Sequence, residues 1–166
     1  MPAIFALKPK KDAPMPALSR RHLLALLATI AAVRPLAAET LPKVHVVKDP
    51  GCGCCNDWID HIRDAGFPVS FEEMEAGKLA DLKASLGLRP GQVSCHTAQV
   101  EGYVIEGHVP ATDVKRLLAE KPDAIGLSVP GMPFGSPGMG PESEREPYQV
   151  LLVAGDGSSS VFASYD

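Results

Sequence analysis

The feature that most constrains this chain is Cys52-Gly53-Cys54-Cys55, framed by Asp49-Pro50-Gly51 before it and Asn56-Asp57-Trp58-Ile59 after it. Three of the four cysteines fall within four residues. An apolar run, Val44 to Val47, precedes them and reads as a short buried strand. From Cys55 to Gly66 the apolar positions Trp58, Ile59, Ile62 and Ala65 recur at helical spacing, and Gly66 stops the helix. The cysteines therefore sit at a strand-to-helix junction, where free backbone N–H groups and the positive end of a helix dipole meet. Thiols in that field lose protons more easily and act as nucleophiles or soft-metal ligands. The fourth cysteine, Cys95, stands beside His96 forty residues further on.

The first 38 residues read as an export address. Lys8, Lys10 and Lys11 make a basic start, Ser19-Arg20-Arg21-His22-Leu23-Leu24 resembles a twin-arginine motif, and an apolar run extends from Leu23 to Val33. That run suits a signal segment and falls short of the about 20 residues a membrane span needs. Leu36-Ala37-Ala38 offers a small-residue cleavage site, which places the mature start near Glu39 and a single domain over residues 39–166. Export delivers the domain to an oxidising periplasmic compartment. Beyond residue 38 the chain carries ten basic and nineteen acidic residues. Such a balance argues against nucleic acid and anionic membranes as partners, and no later segment is apolar enough to span a bilayer.

Further along, Val69 to Met74 reads as a strand with Val69 and Phe71 on one face, and Lys78 to Leu86 as a short helix closed by Gly87. Thr97 to Val100 and Tyr103 to Glu106 form a hairpin about Glu101-Gly102. A third helix runs from the Val109–Asp113 segment through Glu120, with Val114, Leu117 and Leu118 inward. Val129 to Pro147 is dense in Gly and Pro, lacks periodicity and holds Met132 and Met139. A closing pair of strands spans Tyr148 to Val153 and Ser160 to Ala163. The order predicts an α/β fold of thioredoxin-like type, a mixed sheet flanked by helices, with the closing hairpin added at an edge.

Cys52 and Cys55 alone have the C-x-x-C spacing of a disulfide-exchange pair, with Cys52 attacking and Cys55 resolving. Cys54, wedged between them, suits a site needing several thiolates at close range, and Gly51 and Gly53 allow a loop to wrap an ion. Three readings stand beside each other: a metal site, a thiol-disulfide oxidoreductase, and two structural disulfides. Thiolates and thioethers favour Cu(I), whereas zinc accepts Cys and His equally well, so a structural zinc site is a further alternative. The candidate metal ligands are Cys52, Cys54, Cys55, Cys95, His96, Met132 and Met139, with His108 ranked behind His96. His45 and His61 read as ordinary strand and helix-surface residues.

The run Lys48 to Cys55 followed by Trp58 resembles the small periplasmic copper-resistance proteins of the CopG type. So do Ser94-Cys95-His96-Thr97-Ala98, Gly102 to Pro110, and Gly126-Leu127 to Pro133. The resemblance implies a thioredoxin-like fold and a thiolate-bridged copper centre, with Cys52, Cys54 and Cys55 as primary ligands and Cys95 a further thiol facing them. It places the Met-bearing loop as a lid or outer ligand set. It also implies a role in copper detoxification through interconversion of Cu(I) and Cu(II) for export partners, with copper or thiol oxidoreductase activity left open.

Overall fold

The computed structural model describes residues 40–166, so the expected leader at 1–38 lies outside the described residues. Seven strands and three α-helices follow in the order β1 (Val44–Lys48), α1 (Gly53–Asp64), β2 (Val69–Glu73), α2 (Ala76–Ser85), β3 (His96–Val100), β4 (Tyr103–Glu106), α3 (Ala111–Glu120), β5 (Gly126–Ser128), β6 (Tyr148–Val153) and β7 (Ser159–Tyr165). The strands form one mixed sheet ordered β2-β1-β3-β4-β5-β6-β7. Strand β1 pairs parallel to β2 and antiparallel to β3, β4 pairs parallel to β5, and the remaining neighbours are antiparallel. No helix among the described residues is long and apolar enough to cross a membrane.

The helices form because their apolar positions repeat at helical spacing and face the sheet. Trp58, Ile59 and Ile62 of α1 are buried against Val44, Val46, Ala98 and Ile105 of the central strands. Each such side chain contributes roughly 1.5–3 kcal/mol by leaving water. Helix α3 buries Val114 and Leu117 in the same core. The hairpin between β3 and β4 turns through Glu101 and Gly102, both with positive φ, as a tight two-residue turn of matching twist requires.

The closing strands do lie at an edge, joined to the rest through β5. They are fastened to α3 by the Tyr165 hydroxyl, which donates to Asp113 at 2.6 Å, and by Arg116, which donates to the Phe162 carbonyl at 2.6 Å. Strand β5 had no sequence signal of its own. At Gly126 a Cβ would stand 1.8 Å from the Val104 carbonyl oxygen, so only glycine lets β5 pair beside β4.

Two side chains take positions unusual for their type. Phe71 is exposed because β2 is an edge strand. On α2 the buried residues are Leu79 and Lys83, while Leu82 and Leu86 are only partly covered. Lys83 goes inward because its ammonium group meets Glu106 at 2.5 Å and Thr97 at 2.8 Å.

Candidate metal centre

The turn before α1 is held by Asp49. Its carbonyl accepts the Cys52 N–H at 3.0 Å and its side chain accepts the Gly51 N–H at 2.9 Å, the local bonding that makes Asp a turn former. Cys52 is the N-cap residue of α1, with φ −81° and ψ 95°. Cys54 and Cys55 then occupy the first helical turn, where the backbone donors are unpaired and the dipole is positive. Cys52 and Cys55 are joined by a disulfide, with their Cα atoms 5.5 Å apart. Cys54 and Cys95 are free thiols. All four sulfurs lie within 4.8 Å of one another, with Cys55 buried and the other three half-buried.

Cys95 reaches this cluster from the segment entering β3, and a buried polar network sets its position. The Glu106 carboxylate accepts the Ser94 N–H at 2.6 Å, the Thr97 hydroxyl at 2.6 Å and the Lys83 ammonium at 2.5 Å. The Ser94 hydroxyl in turn donates to the Gly131 carbonyl. Gly107, at φ 71°, lets the chain turn after β4; a Cβ there would meet Ser94 at 2.5 Å. That turn delivers His108 to Cys95.

Two imidazoles flank the Cys95 sulfur. His96 Nδ1 lies 3.3 Å from it and His108 Nε2 lies 3.1 Å from it. His108 Nδ1 is 2.7 Å from the Pro137 carbonyl oxygen. A carbonyl only accepts, so Nδ1 carries the proton and Nε2 presents its lone pair to Cys95. His96 packs on Trp58 with ring centroids 4.4 Å apart, and its Nε2 has no hydrogen-bond partner among the described residues.

Burial governs the ionisation of these groups. It pushes the Cys95 thiol up to about 11, and the nearby Cys54 pushes the same way. Cys95 precedes a strand and does not share the helix-start field, so nothing there offsets its burial. Burial holds His96 well below 6.5, helped by His108 and Lys83, and lowers His108 too. It raises Glu106 against the pull of Lys83.

The Gly/Pro-rich segment packs on the start of α1. Gly138 sits so close that a Cβ would stand 2.7 Å from the Trp58 backbone nitrogen and 2.9 Å from the Cys54 carbonyl oxygen. Met139 is the next residue. Met132 follows Gly131, whose N–H donates to the Val93 carbonyl, but its own side chain is 54% exposed. The structure thus brings the loop of both methionines beside the cysteine-bearing elements. An open cleft of about 420 Å³ gives solvent access to Cys52 and Cys95 past Asp49, Ala80 and Lys83.

Sequence reasoning ranked His108 behind His96, yet its ring nitrogen is the one nearer to the Cys95 sulfur. The Lys83–Glu106 pair was missed altogether. His61 is more than a surface residue, since its Nε2 accepts the Ala111 N–H at 3.0 Å and caps α3. His45 is an ordinary strand residue, hydrogen-bonded to Ser70 on β2 at 3.1 Å.

A family described as "Protein of unknown function, DUF411" matches residues 92–139, the stretch containing Cys95, His96, His108 and both loop methionines. No curated protein gives a significant match. Two solved structures are similar over the described domain. One, "Copper resistance protein copG- Form 1", is 40% identical, covers 75% of this chain and 98% of its own, and superposes with a TM-score of 0.70. The other, "Copper resistance protein copG- Form 2", is 41% identical, covers 76% of this chain and 99% of its own, with a TM-score of 0.70. With a convergent cysteine cluster and identity at this level over the whole relative, the chain belongs to the CopG family of copper-resistance proteins.

Proposed function

We propose that this protein is an exported copper-binding protein that holds Cu(I) on the sulfurs of Cys52, Cys54, Cys55 and Cys95. The observation carrying this reading is the convergence of four sulfurs within 4.8 Å at the start of α1. Soft thiolates select Cu(I), and closely spaced ones bridge several ions because each sulfur serves two. The helix start offsets part of the negative charge gathered there. Met132 and Met139 supply outer thioether ligands from the loop packed over Cys54. Cys52 and Cys55 become ligands once an external thiol reductant supplies the two electrons and two protons that open their disulfide, and those protons leave to solvent when the thiolates bind Cu(I). Where Cu(I) is itself the reductant, two cuprous ions pass two electrons to one disulfide and leave as Cu(II), so one disulfide turns over two coppers.

The test is an anaerobic Cu(I) titration of the fully reduced protein, followed by near-ultraviolet absorbance and metal analysis. More than one copper per chain with thiolate charge-transfer bands, and a marked loss in Cys54→Ser, are expected. Less than one copper per chain, or indifference to Cys54→Ser, contradicts the reading.

The Cys52–Cys55 bond favours a second reading, a thiol-disulfide oxidoreductase. The sheet order β2-β1-β3-β4, with a C-x-x-C pair at the first strand-to-helix junction, supports a thioredoxin-like ancestry for either function. Disulfide exchange that survives Cys54→Ser and ignores copper separates this reading from the first. Residues 1–38 act as the export segment in both cases. Protein recovered outside the cytoplasm then begins near Glu39, and copper-export proteins are the partners to which it passes its cargo.

A further inference from the structure

Burial decides how a reductant reaches the Cys52–Cys55 bond. Cys55 is fully buried, whereas Cys52 is half-buried and lines the open cleft of about 420 Å³. Disulfide exchange begins when a thiolate reaches one of the two bonded sulfurs, so access selects the sulfur attacked. An external thiol meets Cys52 and expels the Cys55 sulfur. That leaving group lies in the first turn of α1, where unpaired N–H groups and the helix dipole favour its negative charge. A better-stabilised leaving thiolate departs faster.

The walls of the cleft give it a chemical preference. Ala76, Leu79, Ala80 and Val93 make it largely apolar, and its charged residues are Asp49 and Lys83. Lys83 is already engaged: its ammonium meets the Glu106 carboxylate at 2.5 Å, which cancels its charge. Lys48, the neighbour of Asp49 in sequence, is bonded in the same way to Glu73 at 2.9 Å. Asp49 takes part in no ion pair among the described residues, and its carboxylate accepts the Gly51 N–H at 2.9 Å. The Asp49 carbonyl also accepts the Cys52 N–H at 3.0 Å, so the same tight turn holds the acid and the attacked sulfur. The cleft therefore presents one uncompensated negative charge beside Cys52.

We propose that this cleft admits small thiols bearing an ammonium group, with Cys52 as the sulfur they attack and Asp49 as the residue that selects them. The proposal rests on the reading in which an external thiol opens the disulfide. In the first step the aminothiol thiolate bonds to Cys52 Sγ, the Cys52–Cys55 bond breaks, and the Cys55 thiolate takes a proton from solvent. A second aminothiol thiolate then attacks the sulfur of the bound aminothiol. That step releases the aminothiol disulfide and the Cys52 thiolate, which is protonated in turn. Two thiols thus give two electrons and two protons to one protein disulfide. The Asp49 carboxylate attracts the ammonium group and repels a thiol that carries a carboxylate.

The experiment follows anaerobic reduction of the chelator-treated, disulfide-bonded protein, counting alkylated thiols by mass. Three probes differ in charge: cationic cysteamine, neutral 2-mercaptoethanol and anionic 3-mercaptopropionate. The same reactions on the urea-unfolded chain give the intrinsic reactivity of each probe, so the folded-to-unfolded rate ratio isolates the cleft. At low salt that ratio is expected to be roughly tenfold higher for cysteamine than for 3-mercaptopropionate, with 2-mercaptoethanol between them. Added salt narrows the gap. Asp49→Asn keeps an oxygen for the Gly51 N–H but removes the charge, and it brings the gap down to about twofold or less. Asp123→Asn makes the same charge change at an exposed position outside the cleft and leaves the gap in place. Acid quenching and peptide mapping find the mixed disulfide on Cys52. Equal ratios for the three probes, a gap that survives Asp49→Asn, an equal loss in Asp123→Asn or a mixed disulfide on Cys55 overturns the proposal. A folded protein that resists all three probes overturns it together with the thiol-reduction reading. Charge-selective reduction followed by a failed Cu(I) titration refutes the four-sulfur reading alone.

Discussion

The Trp58 indole N–H donates to the Val109 carbonyl at 2.9 Å, tying the helix that Cys52 caps and that bears Cys54 and Cys55 to the segment that bears His108. Both groups are buried. Fifty-one residues separate them in sequence, so the bond is a long-range clamp across the site. Trp58→Phe keeps most of the apolar surface but strands a buried acceptor, at a cost of about 1–3 kcal/mol. A fall of that size in unfolding free energy, measured by denaturant titration, is the expected outcome. An unchanged midpoint contradicts the clamp.

The Lys83–Glu106 pair is sealed from solvent, with side-chain exposures of 7% and 0%. Lys83→Met leaves a buried carboxylate without its cation and costs about 3–5 kcal/mol near neutral pH. Burial already raises the pKa of Glu106 and Lys83 opposes that rise, so removing the lysine makes the carboxyl still easier to protonate. The deficit therefore shrinks as pH is lowered and Glu106 becomes neutral. Equal deficits at pH 5 and pH 8 contradict this account.

His61 gives a pH signature of the opposite sense. Burial lowers its pKa below 6.5, and its neutral Nε2 accepts the Ala111 N–H. As pH falls through 6.5 the unfolded chain takes up the proton first, so the folded state loses stability in that window and keeps it above. His61→Gln retains an acceptor but no titration. Wild type is expected to lose more stability than His61→Gln between pH 7 and pH 5, and parallel profiles contradict the assignment.

The thiol inventory is directly countable. Alkylation of the native unreduced protein labels two cysteines and alkylation after reduction labels four, as read by mass. Cys95, with its thiol pushed up to about 11, reacts more slowly at pH 8 in the folded protein than in the denaturant-unfolded chain, and its rate in the folded protein climbs with each further unit of pH. Equal rates for Cys95 in the folded and unfolded chain at pH 8 contradict the burial argument.

Much of this architecture was legible from the residues themselves. The apolar run Val44 to Val47 and the helical spacing of Trp58, Ile59 and Ile62 both mark real elements, and so does Glu101-Gly102. The closing hairpin sits at the edge where it was expected, with β7 running longer, to Tyr165. What escaped depended on partners distant in sequence. Strand β5 has three residues, too few for a periodic signal, and exists because Gly126 fits against Val104. Lys83 reads as a surface residue until Glu106 is known to lie across from it. His108 follows a glycine turn whose direction the local sequence does not show, and only the folded chain sets it against Cys95. The convergence of Cys52, Cys54, Cys55 and Cys95, by contrast, follows from placing the cluster at a strand-to-helix junction next to a strand that begins with His96.

Copper K-edge X-ray absorption of the reduced, Cu(I)-loaded protein puts the copper-binding claim to its most direct trial. The account predicts a first shell dominated by sulfur, with a copper–copper vector from shared thiolates, and collapse of that shell in Cys54→Ser. A first shell of nitrogen and oxygen, or a reduced and folded protein that takes up no copper, contradicts it.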